Sequence, residues 1–463
     1  MATHENLDLV FLVRAQAGQP FRRGRLYGCS MGPAGVIRQK SYSFFMDHVT
    51  TIILAAGKGT RMKSRVPKVL HALCGKPIIQ HVLEAVHAAG SLKTYVVLGH
   101  QSGQVREALG PDVTTYEQKD LLGTADAVRQ GERFFRDYTG DILILCGDTP
   151  LLRKETIRSV IRRHKRTGAA CTFLTAFLEN SHGYGRVIRH ASGKAVAIRE
   201  EKDASLEEKK IREINVGVYC VHKDALFSAL RDVPLNAKKK EYYLTDMVAI
   251  LAQRGAPIET VGTPDAMEGV GINSREDLAV AERVLRFRVL RKLMLSGVTI
   301  VDPATTYIDG KARIGQDTII HPCTVIETNV TIGEQCVIGP FARIRPGTRI
   351  GNRVQIGNFA EVSRSVMGEH CFMKHFSFLG DARLGANVNI GAGVVTANYD
   401  GKNKNQTRVG ARAFVGSDSI LVAPVEIGPD AMTGAGCVVT RGTKVPPGNV
   451  IVGVPGRIRK KKE

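Results

Sequence analysis

A run of small residues, Leu54, Ala55, Ala56, Gly57 and then Gly59, leads into Arg61 and, seven positions later, Lys68. Small side chains let backbone N–H groups approach phosphate oxygens closely, and the two cations add positive charge. The spacing is neither the dinucleotide Gly-x-Gly-x-x-Gly nor the P-loop Gly-x4-Gly-Lys-Thr, and a lone Gly-x-Gly after a strand is by itself a weak signal for a phosphate loop. Further on, Cys146-Gly147-Asp148 follows the apolar run Ile142–Leu145. That places a carboxylate at the carboxyl end of a strand, where it suits Mg²⁺, a cation that takes oxygen ligands and shares them with phosphates. The plain alternative for Asp148 is a helix cap. In the last third, His375 stands between Lys374 and Leu379-Gly380-Asp381. Imidazole chemistry can serve proton transfer near pH 7, but for a lone histidine in such a setting the plain reading is a turn residue with its hydrogen bonds satisfied.

Two kinds of element must position these groups. From residue 49 to about 290, strand-like runs (Thr51–Leu54, Thr94–Leu98, Asp141–Leu145, Cys171–Ala176, Gly217–Val221) alternate with helical stretches (Ile78–Ala89, Ala125–Phe135, Lys154–Thr167). Such alternation predicts a doubly wound α/β domain with a mostly parallel sheet, binding its ligand beyond the carboxyl ends of the strands. Ser274–Met294 reads as one long, charge-laced connecting helix. After Val298 the period changes to six, with an aliphatic residue at each of ten positions from Ile308 to Val362. A second series runs from Val409 to Ile451. A helix does not use period six; a parallel β-helix does, with a short strand and a turn per repeat. Two five-residue steps, at Met367 and Leu384, break the register, and a polar excursion covers Ala397–Arg408. Insertions in solenoids map to loops, and such loops carry function.

Composition narrows the partners. With 65 Lys and Arg against 44 Asp and Glu, the net charge is +21, which favours anionic ligands. Zero Trp and 6% aromatics leave few platforms for stacking bases, which argues against nucleic acid. No stretch approaches ~18 apolar residues, so no membrane span is expected. Nine scattered cysteines, never Cys-x-x-Cys, predict reduced thiols and a cytoplasmic protein rather than a zinc or redox site. Residues 1–48 are unlike the rest and read as a disordered extension or a mis-set start; 456–463 read as a basic tail.

The full string from Leu54 through Lys68 resembles the signature of sugar-1-phosphate nucleotidylyltransferases. With Gln118, Leu122-Gly123-Thr124-Ala125, Cys146-Gly147-Asp148, Gly183-Tyr184-Gly185-Arg186, Glu200, Asn215 and Gly271-Ile272-Asn273, all followed by the β-helix, the whole is similar to the bifunctional N-acetylglucosamine-1-phosphate uridylyltransferase / glucosamine-1-phosphate acetyltransferase family. The resemblance covers about 49–455. It implies a nucleotidylyltransferase domain at 49–273, a linker helix at 274–297 and a left-handed β-helix acetyltransferase domain at 298–455. Acetyl transfer from acetyl-CoA to glucosamine-1-phosphate would precede uridylyl transfer from UTP, with release of pyrophosphate.

The same resemblance assigns roles. Leu54, Ala55, Ala56, Gly57, Gly59 and Lys68 would hold the nucleotide, with Arg61 and Lys68 acting on the phosphates. Gln118, Gly123 and Thr124 would read uracil. Gly185, Glu200 and Asn215 would hold the sugar, and Asp148 with Asn273 would hold Mg²⁺. In the β-helix, Arg345, Asn389 and Lys404 would contact the second sugar phosphate. His375 would be the general base, and Ala392, Ser417 and Ala435 would line acetyl-CoA. The family's phosphate-binding Lys aligns with Ser363, its Tyr with Phe378 and its CoA-binding Arg with Gly453. The resemblance also implies a homotrimer. Two other readings compete: a uridylyltransferase whose β-helix is only a trimerisation scaffold, and a catalytically silent regulatory subunit. The second predicts an eroded phosphate loop, yet Gly57, Gly59, Arg61 and Lys68 all stand.

Overall fold

The computed structural model describes residues 49–459; the readings of 1–48 and of the tail beyond 459 lie outside the described residues. The strand Val49–Leu54 lies between Lys93–Leu98 and Asp141–Cys146 and is parallel to both. The main sheet runs Ile258–Gly262, Cys171–Phe177, Glu213–His222, Asp141–Cys146, Val49–Leu54, Lys93–Leu98, Val113–Glu117. Helices cover both faces, which is why the central strand Val49–Leu54 is buried along both faces rather than on alternate residues. One strand departs from the parallel pattern. Glu213–His222 runs antiparallel between Asp141–Cys146 and Cys171–Phe177, so its first residues lie beside the carboxyl ends of its neighbours.

The helices Ile78–Ala89 and Lys154–Thr167 form as their periodicity predicts. The second buries Ile157, Val160, Ile161 and His164 on one face and ends at Gly168, in the left-handed region at φ 61°. The helix expected over Ala125–Phe135 is instead broken. It divides into an α-helix, Thr124–Arg129, and a 3-10 turn, Glu132–Phe135. The break falls at Gly131, where a Cβ would lie 2.5 Å from the Tyr116 hydroxyl, so the close approach of Tyr116 replaces helical packing there. The connector Arg275–Leu295 starts with a capping box, in which the Ser274 side chain accepts from Asp277 N and the Asp277 carboxylate accepts from Ser274 N. No helix among the described residues is long and apolar enough to cross a membrane, and the eight described cysteines are free.

From Thr299 onward two-residue strands wind into three parallel sheets of ten, eight and eight strands, the ten including Arg457–Arg459, which closes the first sheet antiparallel. Within each two-residue strand the second residue points inward, and in the three-residue strands Ala382–Leu384, Thr407–Val409 and Val425–Ile427 the middle residue points outward. Ile320, Ile338, Ile356, Met373 and Ile390 are buried one above another on the first face. The interior is a single stack of Ile, Val and Leu, and Leu290, Leu293 and Met294 of the connecting helix pack against it. Corner residues turn the chain through left-handed φ, as at Phe341, Phe359, Arg364 and Asp381.

Candidate active sites

The loop after Val49–Leu54 is pinned on both sides. Ala55 N donates to Val97 O at 3.0 Å, Gly147 N to Leu54 O at 2.9 Å and His100 N to Ala56 O at 3.3 Å. Gly59 sits at φ 59°, and a Cβ there would come within 2.7 Å of the Lys68 Cβ, so only glycine lets the loop close onto Lys68. The Lys68 ammonium bonds the Asp148 carboxylate and reaches Asn273 Oδ1 at 3.2 Å. Ile272 N donates to Asp148 O at 2.9 Å and fixes the spacing of that pair. Two residues that lie 80 and 205 positions from Lys68 thus meet it at one point. Gly57 borders open space, leaving room for a ligand against its backbone.

On one flank, buried Gln118 donates to Gly123 O at 2.9 Å and to Asp126 Oδ2 at 2.8 Å. Gly123, at φ 99°, packs so tightly on Tyr242 that a Cβ would lie 2.5 Å from its carbonyl oxygen. Thr124 Oγ1 accepts from Leu244 N at 3.0 Å. On the other flank, Asn215 N donates to Gly185 O at 2.9 Å, and Asn215 Nδ2 donates to the Tyr219 hydroxyl at 2.6 Å. A Cβ on Gly185 would lie 3.7 Å from Glu200 Oε1, which itself accepts from Thr245 Oγ1 at 2.9 Å. Burial, aided by Asp246 and Asp203, pushes the Glu200 carboxyl above the usual range. The Cys146 thiol, buried beside Asp148, is pushed up to about 12 and is inert as a nucleophile.

Sequence reasoning missed Asp126, Thr245 and the pair Lys202 and Lys239. The field of Lys239, and more weakly that of Arg61, holds the Lys202 ammonium below its ordinary range, so three cations share one neighbourhood. Asp126 was recoverable from its place in the first turn after Gly123; the others had no local signal. A separate cluster, Asp141, His164 and Cys220, lies away from this site. His164 Nε2 stands 3.3 Å from Asp141 Oδ1 and its Nδ1 is 3.1 Å from Thr172 Oγ1, which ties the helix Lys154–Thr167 to the sheet.

In the β-helix the pairing register collects the second set. Phe372 pairs with Asn389, Asn389 with Phe414 and Phe414 with Met432. Counting three residues on from each puts His375, Ala392, Ser417 and Ala435 in one vertical column at a corner, with His375 exposed. A Cβ on Gly357 would lie 1.9 Å from Lys374 O, so glycine beneath lets the His375 turn sit down on the stack. Asn389 faces outward on the first sheet. Arg345 lies one coil below Ser363 at the next corner, and its Nη1 donates to Glu361 Oε1 at 2.9 Å.

Arg364 corrects one expectation. Strand alternation would aim it away from Ser363 unless a bulge turned it. It lies instead just past the strand Ala360–Ser363, at a corner with φ 48°, which swings its side chain back. Its Nη1 reaches Ser363 Oγ at 2.8 Å while Nε and Nη2 clasp Asp381 at 2.7 and 2.9 Å. Asp381 also accepts from Asn398 and feels Lys404, and Arg364 above all holds its carboxyl below the usual range. The excursion bearing Lys404 folds on itself through a Tyr399–Lys404 bridge, and Asp400 pairs with Arg441 at 2.5 Å.

A glycine-bearing loop at the carboxyl end of the inner strand Val49–Leu54, with a hexapeptide β-helix after it, is the architecture of a nucleotidyltransferase fused to a hexapeptide-repeat acyltransferase. Residues 51–243 match the MobA-like NTP transferase domain, 311–346 and 329–364 match the bacterial transferase hexapeptide, and 406–441 match the hexapeptide repeat of succinyl-transferase. The chain is 43% identical over 443 residues to the Bifunctional protein GlmU of Pelobacter propionicus, covering 88% of this chain and 96% of that one. The protein of the same name from Pelotomaculum thermopropionicum is 45% identical over 414 residues, covering 82% and 90%, and that from Heliobacterium modesticaldum 43% over 441, covering 88% and 96%. The chain belongs to the GlmU family. It is a bifunctional enzyme of UDP-N-acetylglucosamine synthesis, with a uridylyltransferase domain followed by a hexapeptide acetyltransferase domain.

Proposed function

We propose that the point shared by Lys68, Asp148 and Asn273 is where the nucleotide phosphates are handled. The single observation that carries this is the Lys68 ammonium held between the Asp148 carboxylate and Asn273 Oδ1. Two oxygens aimed at one point, one of them anionic, fit Mg²⁺. When bound, the ion supplies charge neutralisation to the phosphates. With Asp148 and Asn273 engaged in this way, Lys68 turns to the phosphate oxygens, joined by Arg61 and by backbone N–H groups of Ala55–Gly59. The phosphate of N-acetylglucosamine-1-phosphate attacks the α-phosphorus of UTP; a new P–O bond forms, the bond to pyrophosphate breaks, and pyrophosphate leaves in line. Alignment and charge do most of this work. Gln118, Gly123 and Thr124 read the base, while Gly185, Glu200 and Asn215 hold the sugar.

In the β-helix, His375 takes a proton from the glucosamine amine as the nitrogen attacks the acetyl carbonyl of acetyl-CoA; the C–S bond breaks and CoA leaves as the thiol. The column of Ala392, Ser417 and Ala435 supports seating the pantetheine arm there, with Arg345, Asn389 and Lys404 on the sugar phosphate. A homotrimer would complete this exposed site with a neighbouring chain. The domain limits 49–273, 274–297 and 298–455 and a cytoplasmic location complete the proposal.

The clasp of Arg364 by Asp381 favours a second reading, a uridylyltransferase with a lapsed acetyl site, because Ser363 offers no cation and Phe378 no hydroxyl in exchange. Purified protein assayed for both transfers, beside Ser363→Lys and Arg364→Ala, separates the two. Acetyl transfer lost only in Arg364→Ala assigns the phosphate to Arg364. Absence of acetyl transfer from every variant defeats the bifunctional mechanism.

A further inference from the structure

The three outer faces of the β-helix differ in charge. The first face presents Thr299, Ile319, Val337, Gln355, Phe372, Asn389, Phe414, Met432 and Val450 on successive coils, with no formal charge. The second is apolar over its last coils, at Phe378, Val395, Ile420 and Val438. The third presents Arg313, Thr331, Arg349, Val366, Arg383, Arg408, Glu426 and Lys444 in strict register. Five of these eight are basic and one is acidic. At about 4.8 Å per coil they form a line roughly 34 Å long.

The guanidinium groups of Arg313, Arg349 and Arg383 have no ion pair among the described residues, whereas Lys444 lies 3.5 Å from Glu426. On the corners that flank the line several arginines are already paired, Arg353 with Glu369, Arg412 with Asp430 and Arg364 with Asp381. A groove of about 920 Å³ follows the upper half of the line, with Arg383, Arg408 and Lys444 in it and Pro429, Pro446 and Pro447 along the adjoining corner. No residue assigned to either transfer lies in this groove.

We propose that the third face binds a linear polyanion, a chain of phosphates laid along the arginine ladder. Charge complementarity identifies the occupant's sign, and the width of the positive strip identifies its shape. A strip one side chain wide, beside corner arginines already held by carboxylates, fits a thread better than the plane of an anionic bilayer. The face carries no aromatic side chain on which bases could stack and no helix to enter a groove, which disfavours nucleic acid.

The test uses the full chain and labelled inorganic polyphosphate of about 15 units, followed by fluorescence anisotropy. Binding should weaken roughly 20-fold between 50 and 200 mM salt, the dependence given by about three neutralised contacts. Arg383→Glu combined with Lys444→Glu should weaken it by about 20-fold or more, with both transfer activities retained. The equally charged control, Arg136→Glu with Arg291→Glu, should weaken it about twofold at most, since those exposed side chains lie off the β-helix. Equal losses in the two double variants would reduce the effect to net charge and overturn the proposal. So would the absence of binding by the wild type, or tighter binding of oligouridylate or of phosphatidylglycerol vesicles. Circular dichroism keeps the comparison to folded variants, and protection of arginines from phenylglyoxal by polyphosphate reads the same contact in the wild-type chain.

Discussion

The two halves of the molecule build their sites in opposite ways. In the α/β domain, Lys68, Asp148 and Asn273 come from three distant segments and already bond one another. Gln118 and Asn215 beside them are likewise held by hydrogen bonds within the same chain. In the β-helix His375, Ala392, Ser417 and Ala435 come from one repeating position, and His375 stands exposed at a corner. A sheet edge can gather residues into a closed pocket; a straight prism can only display them in a column. The exposure of that column is the physical ground for the assembly proposed above.

The strongest way to break this comparison is His375→Ala. Acetyl transfer should fall ~10²–10⁴-fold, the range for loss of a general base, with uridylyl transfer unchanged. A variant that loses both activities together would show the halves to be coupled. Next in size, Lys68→Ala and Asp148→Asn should each lower uridylyl transfer ~10²–10³-fold and leave acetyl transfer intact, measured as kcat/KM for each reaction.

Gly357→Ala sharpens the contrast by acting on a support. Its Cβ would lie 1.9 Å from Lys374 O, so the His375 turn must lift. The expected cost is ~1–3 kcal/mol in denaturant unfolding, with acetyl transfer reduced well beyond uridylyl transfer. Equal effects on the two activities would argue against a positioning role.

Smaller effects distinguish buried from open electrostatics. Burial raises the Glu200 carboxyl, so the folded state binds its proton more tightly than the unfolded state. Its contribution therefore favours folding at low pH and is lost as pH rises through the raised value. Glu200→Gln should lift Tm at neutral pH by on the order of 1–3 °C while weakening sugar binding. Asp381 has the opposite sign. Arg364 lowers its carboxyl, so the pair stabilises above the ordinary carboxylate range and loses its effect as pH falls through the lower folded value. Asp381→Asn should then cost less than ~1 kcal/mol at pH 7 and nothing in strong acid, followed by urea titration at each pH.

What could be read from the sequence follows the same division. The hexapeptide period determines which residues face in, which face out and which share a column, so the alignment of His375 with Ala392, Ser417 and Ala435 is arithmetic once the register is known. In the α/β domain, Gly59, Arg61, Lys68 and Asp148 carry local signals: small residues after a strand, or a carboxylate at a strand's end. Thr245 under Glu200, and Lys202 and Lys239 near Arg61, arrive from elsewhere in the chain with no pattern of their own. The break at Gly131 depends on a tyrosine hydroxyl from another strand. The position of Arg364 escapes the alternation rule, which holds within strands and not at the corner after one.

The connecting helix has a consequence beyond joining the halves. Leu290, Leu293 and Met294 lie against the aliphatic stack at its first coils, near Val298 and Ile300. A prism of parallel strands ends in an open rung of N–H and C=O groups around an apolar bore, a template onto which another prism could add. The helix works as a stopper at that end. A chain begun at Thr299 would expose the bore, and end-to-end fibres are the form its misassembly should take.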